Sequence, residues 1–359
     1  MTLNTLNFGK HVIGNDQPVF IIAEAGDNHL GCLQTAFEMA RQAKLAGADA
    51  VKFQHHLPDE EMLRDIPMSD NMHEPLYDFL VKNALSIEQH KQLKQFCDTI
   101  NIKYMCTPFS YAAATELCEA NLLDVIKIGS GEMTDIPSLL KISQLGLPMI
   151  VSTGMSTFEE IDRTYQELTD NGVELCLTNC VSEYPPNYND INLHCIQTMI
   201  DRYPKAIIGH SDHTPTLYTA FGAVMLGAKI IEKHVTLNKV IPCPDQSVSL
   251  DYSEFAELVN GIRILEAASG REKKVHNQEK QIREWAFRSV VSVKAIKKGE
   301  VITEDMVWTK RPGTGIPSKD MNRVIGCVAT GDIDSNTLLT WDMLLFNKSR
   351  IETKEKECL

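Results

Sequence analysis

No apolar run in this sequence approaches the roughly 18 residues that a membrane-spanning helix needs. The opening stretch MTLNTLNFGKHVIG also lacks a basic segment followed by an apolar core, so neither a membrane anchor nor a secretory leader is expected. Positive charge is scarce: 35 Lys and Arg face 48 Asp and Glu, a net charge of −13 over 359 residues. Bulk binding to nucleic acid or to an anionic membrane is therefore not expected, and an anionic ligand would need a local cluster of Lys and Arg. The ten cysteines include no Cys-x-x-Cys pair, and several sit in apolar runs such as Tyr104-Met105-Cys106 and Leu175-Cys176-Leu177. They read as buried thiols of a reducing cytoplasm rather than a disulfide framework. Missing too is a Gly-rich turn after the first apolar run, where Gly26-Asp27-Asn28-His29 stands; this argues against an open doubly wound sheet.

What is present is one unit repeated: a short apolar run, a polar tip, an amphipathic stretch. The apolar runs are 19–25, 50–53, 103–107, 125–128, 148–152, 174–179, 206–209 and 229–235. Helical spacing recurs at 33–46, 86–100, 112–120, 158–171, 191–202, 216–226 and 253–267. Eight strand–helix repeats over roughly 250 residues predict a (β/α)8 TIM barrel. Residues 1–17 read as an N-terminal hairpin, 18–270 as the barrel and 271–287 as a charged linker or exposed helix. Residues 288–346 hold short β-type runs with dense Gly, Pro and Asn punctuation, which predicts a small β-rich domain, and 347–359 form a polar tail.

Barrel enzymes place their chemistry at the C-terminal ends of the strands. There the sequence delivers Glu24, then Lys52 and Gln54 on one face, Thr107, Lys127, Ser130 and Glu132, Ser152, Tyr184, Ser211, and finally His213 and His234 on neighbouring strands. Any single member has a plain structural role open to it: a helix cap, an ion pair, a strand-end hydrogen bond. Together, two lysines and three serines make an anion cradle, with two imidazoles facing it as a candidate divalent-metal pair. Glu24 and Glu132 are candidates for acid–base work.

The blocks IIAEAGDNHLG, GADAVKFQ, CTPFS, IKIGSGE, IVSTGM, SEYPP, IIGHSDHT and IIEKHVT, followed by RPGTGI, resemble the sialic acid synthase family from about residue 18 to 345. The resemblance implies condensation of phosphoenolpyruvate with N-acetylmannosamine or a close relative, giving a nine-carbon 2-keto sugar acid and phosphate. It implies that the C-terminal domain is antifreeze-like (a SAF, or β-clip, domain) and that the chain forms a domain-swapped homodimer. By the same resemblance, His213 and His234 bind the metal, Mn2+ before Mg2+ or Co2+, which would polarise the sugar aldehyde. Lys52, Thr107, Lys127, Ser130, Ser152 and Ser211 hold phosphoenolpyruvate, while Glu24, Gln54, Asn71, Tyr184 and Asp245 contact the sugar. Glu24, Glu132, Lys52 and Lys127 are the catalytic set, with Glu132 the acid–base carboxylate. Arg311 is offered across the dimer to the N-acetyl group, with Phe287 nearby. Asp212 and Glu232 are expected to support and orient the imidazoles.

The departures from the family pattern, at Asp27, Asn179, Ser182, and Cys243-Pro244-Asp245 with Gln246, fall on the sugar side. The sibling activities are therefore N,N'-diacetyllegionaminate or pseudaminate synthase. A Schiff-base aldolase using Lys127 or Lys52, and a non-enzymatic carbohydrate-binding protein, are the readings from other classes.

Overall fold

The computed structural model describes residues 5–9, 11–67 and 74–346, and its contacts divide the chain into two units, Met1–Gly270 and Arg271–Leu359. In the first unit, β1 (Thr5–Phe8) and β2 (His11–Gly14) pair as an antiparallel hairpin. The barrel strands follow: β3 (Phe20–Gly26), β4 (Ala50–His55), β5 (Lys103–Pro108), β6 (Ile126–Ile128), β7 (Met149–Ser152), β8 (Leu175–Cys180), β9 (Ala206–Asp212) and β10 (Ile230–His234). All eight lie in one parallel sheet ordered β5-β4-β3-β10-β9-β8-β7-β6, and β5 packs beside β6 to complete the ring. The expected TIM barrel is thus present. Its strands are short and largely apolar because they are covered on both sides, which leaves little room for alternation.

Two cores follow from that geometry. Between strands and outer helices lies a continuous apolar layer including Ile21, Val51, Cys106, Leu177, Ile231 and Phe255. Inside the ring, Phe20, Ile22, Met105, Ile150, Ile207 and Ile230 pack against Leu6, Phe8 and Ile13 of the hairpin, which closes the end of the barrel away from the strand tips. Helices start where local chemistry says they should. Ser86 with Gln89, Thr157 with Glu160 and Asp251 with Glu254 form capping boxes at the starts of Ile87–Thr99, Phe158–Asp170 and Tyr252–Ala268.

Among the described residues of the first unit, three helices were not among those expected from spacing. Ile136–Ser143 completes the unit after β6, capped by Asp135. Pro58–Glu61 and Leu76–Asn83 sit in the connection after β4, and both are too short to show a clear period.

In the second unit, helix Asn277–Ala286 occupies most of the predicted linker. Strands β11 (Ser289–Ser292) and β12 (Val307–Lys310) pair antiparallel, as do β13 (Val328–Ala329) and β14 (Leu344–Leu345). Val290, Ile302, Val307, Val324, Leu339 and Leu344 belong to its own small core. Among the described residues, no helix is long and apolar enough to cross a membrane.

Candidate active site

Register brings the polar strand tips together. Along the sheet, His234 of β10 lies opposite Glu24 of β3, Glu24 opposite Lys52 of β4, Gln54 opposite Thr107 of β5, and Glu232 opposite Ser211 of β9. These residues open into one cavity of about 430 Å³, lined also by Lys127, Ser130, Glu132, Ser152, Tyr184, His213 and Asp245. Among the described residues, every sequence-predicted site residue of the first unit except Asn71 is thereby placed in one cavity; Asn71 lies outside the described residues.

The floor is an arrangement of buried charges. Lys52 pairs with Glu24 and donates to Thr107 Oγ1 at 2.9 Å. Lys127 donates to Ser152 Oγ at 2.6 Å, and that hydroxyl shares a hydrogen bond with Thr178. Glu232 stands between the lysines, its Oε1 at 3.6 Å from Lys52 Nζ and 3.7 Å from Lys127 Nζ, and accepts from Ser211 Oγ at 3.1 Å. Burial opposes charge on Lys52, but Glu232 and Glu24 outweigh it and raise its pKa. For Lys127 burial prevails over Glu232, and the pKa falls. Glu232 resists burial through Lys127 and Lys52 and is held ionised, whereas burial, with Glu232 adding to it, raises Glu24. Two buried lysines with serine and threonine hydroxyls beside them offer donors suited to a phosphate or carboxylate anion.

Glu132 sits over this floor. Its Oε2 is buried without a hydrogen-bond partner, and burial raises its pKa. Across the cavity, the rings of His213 and His234 lie 5.3 Å apart, and Tyr184 stacks on His213 at 4.3 Å with its hydroxyl 3.3 Å from Nε2. His213 Nδ1 is 2.8 Å from the Val181 carbonyl, and His234 Nδ1 is 3.4 Å from Asp245 Oδ2.

Burial opposes charge on His213, but Cys180 and the Val181 carbonyl lift its pKa to about 9, so a cation bound there would replace a proton. Among the described residues, no group of three or more His, Cys, Asp or Glu side chains is arranged to hold a metal. What the site offers is a pair of imidazoles with a carboxylate beside one of them. That set fits a borderline divalent ion which leaves its other positions to substrate and water.

Asp212 does not support the imidazoles as expected. It pairs with Lys233 at 3.0 Å and accepts from Thr214 N and Thr219 Oγ1, because strand alternation turns Asp212 and Lys233 away from the cavity. Glu232 serves the lysines instead. Gln54 donates to Glu24 Oε1 at 3.1 Å, and its own Oε1 lies 3.1 Å from His56 Nε2. His56 and Glu61, both in the cavity wall, were missed. His56 continues the 52–54–56 alternation and was findable, but Glu61 is carried by the unforeseen Pro58–Glu61 helix. Arg311 lies in the second unit, exposed, its guanidinium 5.5 Å over the Trp285 ring and its Nε donating to Ala286 O.

Residues 39–274 match the model of the NeuB family, and residues 287–345 that of the SAF domain. The chain is 34% identical over 345 residues to the uncharacterized protein MJ1065 of Methanocaldococcus jannaschii, covering 96% of this chain and 99% of that one. It is 35% identical over 345 residues to the N,N'-diacetyllegionaminic acid synthase of Legionella pneumophila, covering 92% and 95%. Among solved structures, the N-acetylneuraminic acid (sialic acid) synthetase from Leptospira borgpetersenii, in complex with citrate, is similar with a TM-score of 0.71 at 30% identity. That match covers 78% of this chain and 95% of that one.

Proposed function

The chain belongs to the NeuB family and carries a SAF domain, and we propose that it condenses phosphoenolpyruvate with an N-acetylated amino sugar of the N-acetylmannosamine class. The products are a nine-carbon 2-keto sugar acid and inorganic phosphate. The observation that carries this reading is the floor: Lys52 and Lys127 buried on either side of Glu232, with the hydroxyls of Thr107, Ser152 and Ser211 bonded to the same three charges. A phosphate ester with a carboxylate is the kind of anion that these lysines and hydroxyls can hold.

Each residue then has a task. The lysines and hydroxyls hold the phosphoenolpyruvate and stabilise the departing phosphate. Glu24 and Gln54 present the open-chain sugar so that its aldehyde carbon faces C3 of the enol. Carbon–carbon bond formation leaves C2 electron-poor. Water adds there, and the tetrahedral centre collapses with C–O cleavage. Glu132, whose burial keeps a proton available above the usual carboxylate range, exchanges that proton with the reacting oxygens. His213 and His234 would hold a divalent cation, Mn2+ first, which when bound supplies Lewis-acid polarisation of the aldehyde.

Two further elements belong to the proposal. The enzyme works as a homodimer with Arg311 serving the sugar in a second copy, and it resides in the cytoplasm, consistent with buried free thiols such as Cys97, Cys106 and Cys176. A second reading takes a diacetamido-trideoxy sugar as substrate. It is favoured by the apolar side chains of Met62, Leu76, Phe79 and Leu80 along one wall, which suit a methyl group.

Phosphate release tests the proposal, using Mn2+, phosphoenolpyruvate and a panel of N-acetylmannosamine, its 6-phosphate and the 6-deoxy diacetamido sugars. Release with N-acetylmannosamine, abolished by EDTA, is expected. Release with no member of the panel rejects the assignment. A borohydride-trapped pyruvate adduct on Lys52 or Lys127 would replace it with a Schiff-base aldolase.

A further inference from the structure

We propose that His56 is a positioning residue for the sugar: its Nε2–H fixes which way round the Gln54 amide lies, and so sets the group that Gln54 offers to the substrate. This deepens, and rests on, the synthase reading given above, in which Gln54 and Glu24 contact the sugar.

A glutamine amide has an oxygen at one end and an NH2 of nearly the same size at the other, so its neighbours decide how it lies. Gln54 is half-buried and lines the cavity, where a ligand can reach it. Its Nε2 gives one N–H to Glu24 Oε1 at 3.1 Å and carries a second. Turned end for end, the amide would set its oxygen against the Glu24 carboxyl and its NH2 against another donor.

That other donor is His56, which follows β4 and continues the alternation of Lys52 and Gln54. Its Nδ1 lies 2.9 Å from Glu61 Oε2, and its Nε2 lies 3.1 Å from Gln54 Oε1 and 3.3 Å from Asp27 Oδ2. All three partners are acceptor oxygens, so the ring donates from both nitrogens. Burial disfavours that charge, but Asp27 and Glu61 prevail and lift the imidazole to about 10. An imidazolium has no lone pair to receive the NH2 end of Gln54, so the orientation is one-way.

The ring is itself held. Phe109 stacks on it at 4.4 Å, and Glu61, whose Oε2 meets Nδ1, accepts from Leu57 N with its other oxygen. With both nitrogens engaged by the protein and one face covered, His56 acts through Gln54 and not on the substrate. Without the Nε2–H, the oxygen end of Gln54 loses its donor and Glu24 alone holds the amide.

The test is phosphate release with Mn2+, phosphoenolpyruvate and N-acetylmannosamine, read as steady-state kinetics. Asn in place of His56 sets its Nδ2 where the ring has Nδ1, and falls short of Nε2; Gln reaches as far as Nε2. His56→Asn should therefore raise the sugar KM about tenfold, with the phosphoenolpyruvate KM within about twofold of wild type. His56→Gln should bring the sugar KM back to within about threefold. In a Gln54→Leu background, where no amide remains to orient, His56→Asn should change the sugar KM by less than about twofold. An unchanged sugar KM in His56→Asn, a glutamine variant as impaired as the asparagine one, or the full loss persisting in the Gln54→Leu background each overturn the role of His56. With wild type turning over normally, they leave the synthase reading standing. Wild type that releases no phosphate with any sugar of the panel overturns both.

Discussion

Glu132 shows what a single side chain can be made to do by its surroundings. Its Oε2 lies buried with no partner, and desolvation raises its pKa. A carboxyl whose folded pKa is raised contributes stability below its ordinary value of about 4.5, and that contribution is lost as pH rises through the raised value. Glu132→Gln cannot ionise, so its stability should decline less than that of wild type between pH 5 and 8. Its kcat should drop roughly 100-fold, and the limb of the pH–rate profile set by this group should vanish. A limb that persists in the glutamine variant assigns the titration to another residue. The identity of such residues was legible because chemistry at a barrel rim needs particular types at the strand ends. Their pairing was not: Asp212 and Glu232 look alike in the sequence, yet alternation sends one to Lys233 and the other to Lys52 and Lys127.

At the scale of elements, all eight barrel strands could be read because short apolar runs bounded by polar tips recur in alternation with helical stretches. Helices with capping boxes were equally visible. Pro58–Glu61 and Leu76–Asn83 escaped because one or two turns carry no period, and with them went Glu61 and the apolar wall. The hairpin carries more weight than its length suggests. Phe8 is fully buried and packs 5.3 Å from Phe20, the first residue of β3. Phe8→Ala should cost about 3 kcal/mol in denaturant unfolding, with the phosphoenolpyruvate KM nearly unchanged. A loss below about 0.5 kcal/mol, the scale of a surface substitution, would show that the hairpin does not hold the barrel end.

For the whole molecule, the proposal of a working pair makes a sharp demand on Arg311. Arg311→Ala alone should raise the sugar KM far more than that for phosphoenolpyruvate, and His213→Ala alone should be inactive. Mixing the two variants under exchange should restore turnover if one copy supplies the arginine and the other the imidazole. No recovery, with hetero-oligomers demonstrated by differential tagging, would confine each site to its own chain. The sequence changes character after residue 270, where the structure's two units divide, whereas a residue offered to a second copy carries no signature of its own in a single sequence.

The closed end of the barrel has a consequence for traffic. With Leu6, Phe8 and Ile13 sealing one side of the ring, the cavity is a vessel with one doorway, not a corridor. On the proposed reaction, substrates and products alike would pass the open end formed by the strand tips.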